Sequence, residues 1–136
     1  MVKLCASGYP EFLGKDPASE EVEWSESVIQ SYLVMQSRRA GYKCAGGMEQ
    51  GARGGSSGAR AKATGLTAGE PDVRFYLSGG RVLFVELKLA KGGRLSDVQT
   101  VYHEMLRGLG HMVFVVYAKS PVDGWEQVKG ILEKHG

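Results

Sequence analysis

Cysteine is scarce in this chain: there are two in 136 residues, Cys5 and Cys44, far apart and outside any CxxC or Cys/His cluster. That excludes a disulfide framework and a zinc site of the usual spacing. Long apolar runs are also missing. The longest, Met112 to Ala118, falls far short of the roughly 18 residues that a membrane-spanning helix needs, so no membrane partner is expected. The opening residues Met1 to Gly8 lack the sustained apolar stretch of a secretory signal, and Tyr9-Pro10-Glu11 ends any such stretch. An intracellular, cytoplasmic location is expected. Neither GxxxxGK[ST] nor a GxGxxG after a strand is present, which leaves a small nucleotide-binding α/β protein without support. Tyr9, Trp24 and Tyr42 form no ladder of the kind on which a single-strand binder stacks bases.

What is present is a globular composition, 43% hydrophobic and 24% charged, in a length that suits one domain of about 100–200 residues. The net charge of +2 conceals an asymmetry. Residues 1–26 carry two lysines against six acids, a net of −4, whereas residues 38–65 carry Arg38, Arg39, Lys43, Arg53, Arg60 and Lys62 against Glu49 alone, a net of +5. Such a segment is often only a solvated face, but it also suits a polyanion, because phosphates draw Lys and Arg by counterion release. Residues 41–69 contain nine glycines in 29 positions, and a long loop of that kind in a small domain is either functional or disordered. Arg53, Arg60 and Lys62, with Lys91 and Arg94 farther along, are the candidate DNA contacts.

The element pattern predicts a small α/β sandwich. Residues 1–15 read as an irregular arm, and 16–136 as one domain with a Gly-rich basic loop at about 46–69. Asp16-Pro17 supplies an N-cap and a first-turn proline, so a helix is predicted from there, carrying Val22, Ile29, Leu33 and Gln36 and stopping at Gly41. A weak strand follows within Tyr42 to Met48. Asp72–Leu77 and Arg81–Lys88, joined by Ser78-Gly79-Gly80, form the clearest hairpin in the chain. Ser96-Asp97-Val98-Gln99 is a capping box that opens a second helix. His111 to Ala118 reads as a buried strand, and a last helix starts near Pro121.

Carboxylates inside apolar patterns are the chemical anomaly, since a buried charge is costly unless paired or bound to a metal. Glu86 and Lys88 interrupt the strand Val82-Leu83-Phe84-Val85-Glu86-Leu87-Lys88-Leu89 two residues apart, which places them on one face. With a three-residue connection, opposed residues of the hairpin have numbers summing to 158, and Asp72 faces Glu86. A strict two-residue loop would instead set Asp72 opposite Leu87. Gly80 suits the left-handed position of the three-residue type, and that register is the expected one. Glu26, four residues after Val22 and three before Ile29, joins the inward stripe of the first helix. Converging carboxylates repel unless a cation lies between them, and oxygen ligands select Mg²⁺ or Mn²⁺. Asp72 and Glu86, with the backbone carbonyl of Leu87, would hold such an ion for metal-assisted phosphodiester hydrolysis, and Lys88 would orient the attacking water.

Gly69-x-Pro71-Asp72 followed by Glu86-Leu87-Lys88 on an apolar strand resembles the PD-(D/E)xK nuclease signature and, more closely, a stand-alone VRR-NUC domain. The resemblance extends to Glu26-Ser27, the basic approach from Lys62 to Gly69, Ser96-x-x-Gln99 and Gly108-x-Gly110. It implies a small three-layer restriction-endonuclease-like fold, a mixed sheet with a central hairpin flanked by helices. It further implies a catalytic set of Asp72, Glu86 and Lys88, with Glu26 acting on the ion through water and Gln99 positioning water or DNA. The implied activity is structure-specific cleavage of branched DNA such as Holliday junctions by a homodimer. The alternatives are a noncatalytic nucleic-acid-binding module of the same shape and a nuclease of flaps or general DNA. Plain structural readings remain beside these: an edge-strand ion pair for Glu86 and Lys88, a capping role for Gln99, and a solvated helix face for His103. His111 and His135 show no partner in the sequence.

Overall fold

The computed structural model describes residues 14–47 and 67–136. Arg53, Arg60, Lys62 and the centre of the Gly-rich loop lie outside the described residues. In chain order the elements are α1 (Glu26–Arg39), β1 (Lys43–Gly46), β2 (Val73–Tyr76), β3 (Val82–Leu89), α2 (Asp97–Gly108), β4 (Met112–Ala118) and α3 (Pro121–His135).

The first helix starts later than the sequence pattern suggests: its N-cap is Ser25, whose hydroxyl accepts from the Val28 amide at 3.2 Å. Asp16 spends its capping capacity on an isolated turn, its carboxylate accepting from Ala18 N–H at 2.9 Å and its carbonyl from Ser19 N–H at 2.9 Å. Pro17 then offers its carbonyl to Val122 N–H at the start of α3, and the Trp24 indole donates to the Ser19 carbonyl at 2.7 Å. These bonds hold residues 16–24 as a strap, so Val22 belongs to no helical stripe. At its other end α1 stops as expected. Gly41 has φ +94°, and the amides of Gly41 and Tyr42 return to the carbonyls of Arg38 and Ser37, a Schellman closure that a left-handed glycine permits.

The four strands form one sheet in the order β1-β2-β3-β4, antiparallel except for the parallel pair β3–β4. Opposed residues of the hairpin are Val73 with Val85, Arg74 with Phe84, Phe75 with Leu83 and Tyr76 with Val82, the register expected from a three-residue connection. Gly79 and Gly80 both take positive φ there. The parallel step from β3 to β4 needs a crossover, which α2 provides. β3 is therefore an interior strand and not an edge.

Strand alternation sorts the side chains into two layers. Val73, Phe75, Leu83, Val85 and Leu87 face one side and pack with Ile29 and Leu33 of α1 and Trp125, Val128 and Leu132 of α3. On the other side α2 turns Leu106 and His103 inward, both buried, and Val113 of β4 is buried as well. The result is a three-layer α/β arrangement in which the face carrying Glu86 is opposite the main core. His111 lies just before β4 and packs edge-on against Phe84, with ring centroids 5.6 Å apart, while His135 stacks at a tilt on Phe114. Both histidines thus have aromatic partners that the sequence did not reveal.

Candidate active site

Asp72 is fixed from several directions before its side chain does any chemistry. Pro71, just before it, is buried. The Asp72 carbonyl accepts from Gly47 N–H at 2.9 Å and lies 3.5 Å from Gln30 Nε2 of α1. Its carboxylate oxygen Oδ2 accepts from the Leu87 amide across the hairpin at 2.8 Å. Gly69 explains the tight approach to this point: it has φ +89°, and a β-carbon there would meet the Val98 carbonyl of α2 at 2.7 Å and Tyr102 Cβ at 3.1 Å. Only glycine lets the chain pass so close to α2 on its way to Pro71 and Asp72.

Glu86 is 1% exposed and, in the register of the hairpin, lies on the same side of the sheet as Asp72, close enough for the Asp72 charge to act on it. Each Glu86 oxygen has a partner from α2: Oε2 accepts from Gln99 Nε2 at 3.1 Å, and Oε1 lies 3.2 Å from His103 Nε2. Lys88 Nζ stands 4.0 Å from Oε2. The Gln99 amide has two jobs at once, since its Oε1 accepts from Ser96 N–H at 2.9 Å to complete the capping box while its nitrogen reaches Glu86. Capping and site contact do not compete, because the helix accommodates both.

His103 overturns the solvated-helix expectation. It is fully buried against Glu86, and its sequence signal was its position four residues after Gln99, one turn along the same face. Its pKa is lowered, first by burial and then by the neighbouring Arg107 charge. Its Nδ1 has no hydrogen-bond partner among the described residues.

Glu86 is pushed up to about 9, chiefly by burial, then by hydrogen bonding and charge repulsion from Asp72; Lys88 pulls the other way, and the Glu26 charge adds a further push upward. A buried carboxyl that faces the part-buried Asp72, with the Lys88 ammonium no closer than 4.0 Å, is short of positive charge among the described residues. The Glu86 carboxyl therefore keeps a proton that a divalent ion would displace. This donor set fits a hard cation such as Mg²⁺ or Mn²⁺, which uses one or two carboxylates and completes its shell with water and phosphate. Glu26, the first residue of α1, acts on Glu86 through its field; no group of three His, Cys, Asp or Glu side chains comes together as a metal cluster among the described residues. A protein-only trio of carboxylate ligands is thus not assembled.

Arg94 borders an open groove with Lys88, Ser96, Gln99, Ala68 and Gly69, two of which, Lys88 and Gln99, neighbour the Glu86 carboxyl. Lys91 lies elsewhere, on a pocket of about 280 Å³ shared with Glu20, Glu21, Glu23 and Lys119. Of the two described candidate DNA contacts, only Arg94 flanks the site groove. No helix among the described residues is long and apolar enough to cross a membrane.

The fold is that of VRR_NUC domains. One solved structure, described as a VRR_NUC domain, matches with a TM-score of 0.54 at 22% identity, covering 82% of this chain and 97% of that one. Another, described as a VRR_NUC domain protein, matches with a TM-score of 0.62 at 19% identity, covering 82% and 91%. No protein-family model and no curated protein matches the chain.

Proposed function

We propose that this nuclease-fold domain is a Mg²⁺- or Mn²⁺-dependent endonuclease that hydrolyses phosphodiester bonds in branched DNA. The reading is carried by one observation: the buried Glu86 and the part-buried Asp72 face each other on one side of the sheet, with Lys88 beside Glu86 and an open groove lined by Lys88 and Gln99 next to them. Asp72, Glu86 and the Leu87 carbonyl are the groups to hold the ion, and Glu26 would act on it through water; its charge already reaches Glu86. When bound, the ion polarises the phosphate and eases deprotonation of water. The chain's own residues supply position and charge. The Leu87 amide aims the Asp72 carboxylate, Gln99 holds Glu86, and the Lys88 ammonium, 11% exposed in its side chain, stabilises charge that develops on the phosphate. Arg94 steers the DNA backbone into the groove.

A homodimer is part of the proposal. Val98, Val101 and Met105 of α2 and its C-cap Leu109 are all exposed and follow one another at intervals of three and four residues, which makes a continuous apolar stripe. Tyr102 lines a pocket with three of them. A self-paired stripe would give a small domain the area and the second active site that cutting a junction on two strands requires.

The test is cleavage of labelled four-way junction, flap, single-stranded and linear duplex DNA with Mg²⁺, with Mn²⁺ and with EDTA. Paired cuts in the junction that vanish in EDTA and in Glu86→Ala are expected, with DNA affinity in EDTA unchanged in the variant because the metal-free Glu86 carboxyl is already protonated. Binding without cleavage under all conditions would make the chain a noncatalytic module, and products from flap or linear duplex alone would reassign its substrate.

A further inference from the structure

We propose that His103 is a positioning residue for the metal site, holding the Glu86 carboxylate in its ligating orientation by donating its Nε2–H to Oε1. The inference rests on the metal-dependent reading above and names a residue that the sequence motif does not contain.

The geometry is specific. Gln99 and His103 are one turn apart on α2, and each addresses a different oxygen of the same carboxylate, at 3.1 Å and 3.2 Å. A glutamate has three side-chain torsions, so a carboxylate held at both oxygens loses most of the freedom that would otherwise oppose ion binding. Each oxygen accepts one hydrogen bond from the helix and keeps a lone pair for an ion. A core-filling role does not explain the residue. The ring is fully buried with Nδ1 unpartnered among the described residues, whereas leucine or methionine would fill the same space with no polar atom left over. With Nδ1 unpartnered, the tautomer that serves an ionised Glu86 carries its proton on Nε2, which points at Oε1. Partners of this kind orient a ligand and typically change metal affinity by about 10–100-fold.

The experiment measures Mn²⁺ binding directly, from the spin-resonance signal of free Mn²⁺, without DNA and without reference to cleavage. His103→Met keeps volume and removes the donor. His103→Gln returns an amide N–H near the place of Nε2, and His103→Asn has an amide too short to reach it. The expected result is a dissociation constant raised by about 10-fold or more in His103→Met and His103→Asn, with His103→Gln recovering most of the loss. Should His103→Met fail to fold, the Gln and Asn variants, equally polar, carry the comparison alone. Equal affinity in the Asn and Gln variants, or a His103→Met protein that binds like wild type, overturns the role of His103. Glu86→Gln separates the two readings. Binding in wild type that Glu86→Gln abolishes leaves the metal site standing whatever His103 does, and wild-type protein that binds no Mn²⁺ removes the metal site and the positioning role together.

Discussion

Raising the pH of the metal-free protein is expected to destabilise it. Glu86 is pushed up to about 9 by burial and by Asp72, whereas the same carboxyl in the unfolded chain ionises near 4.5. Between those values the folded state holds a proton that the unfolded state has released, so the stability present at low pH is lost as pH rises through the window. His103 works with the opposite sign. Its lowered pKa means that below about 6.5 the unfolded chain takes up a proton that the folded chain refuses, so His103 removes stability as pH falls. The two contributions oppose each other below about 6.5; above it Glu86 leads among the described residues, joined toward pH 9 by the Cys44 thiol, which burial also pushes up. There the limiting slope is about 1.4 kcal/mol per pH unit, or about 3 kcal/mol between pH 6.5 and 8.5 for a group that remains largely protonated across that range. For a domain of this size that corresponds to a fall in Tm of about 10 °C. Thermal melts in EDTA across that range measure it. Glu86→Gln, neutral in both states, should be flat over the same window, and saturating Mn²⁺ should cancel or reverse the slope because the ion binds the deprotonated form. A flat wild-type profile, or the same slope in Glu86→Gln, refutes the claim that this carboxyl sits uncompensated in the fold.

Adding Mg²⁺ or Mn²⁺ at 100 times its dissociation constant should stabilise the folded protein by about 2.7 kcal/mol; no shift at saturating metal would mark Asp72 and Glu86 as an ordinary carboxyl pair. Gly69→Ala should cost about 2–4 kcal/mol, because the position needs a positive φ and its β-carbon would strike the Val98 carbonyl; chemical denaturation checks this, and a neutral result would mean that α2 yields freely. Leu33→Ala, at a fully buried core position, should cost about 2–5 kcal/mol without altering Mn²⁺ affinity in the folded protein. Val101→Glu should convert a dimer to a monomer in sedimentation, since Val101 is 70% exposed in the single chain; a wild-type protein already monomeric at tens of micromolar (about 50 µM, where a Kd near 1 µM would leave it dimeric) removes the stripe's proposed partner.

The hairpin register was legible because local chemistry decides it. Ser78-Gly79-Gly80 fixes the connection, and period-2 alternation then sets every opposed pair, down to Asp72 beside Glu86. The start of α1 was not legible, because Asp16 and Ser25 are equally good caps in isolation. What separates them is long-range: the Pro17 carbonyl is taken by Val122 N–H, more than a hundred residues away. The roles of α2 were half legible. Its capping box and its extent follow from sequence, but its rotation about its own axis does not. Apolar periodicity alone would turn Val98, Val101 and Met105 inward, whereas in the fold they are exposed and Gln99, His103 and Leu106 face the sheet.

That rotation has a cause in the site. Gln99 and His103 lie about 100° around the helix from the apolar stripe, so α2 cannot satisfy Glu86 and bury Val101 against the same sheet. A buried carboxyl left without its partners is more damaging to the fold than an exposed valine or leucine, and the helix turns accordingly. The apolar stripe is therefore displaced outward by the requirements of the carboxyl it helps to hold. The same helix is pressed by Gly69 on the approach to Asp72, so both acidic residues depend on where α2 lies. A second copy docking on Val98, Val101, Met105 and Leu109 would bear on the helix that orients Glu86, and metal affinity should then rise with protein concentration across the monomer–dimer transition. Mn²⁺ titrations at concentrations above and below that transition distinguish this coupling from an interface that merely supplies a second cut, for which the affinity per site would stay constant.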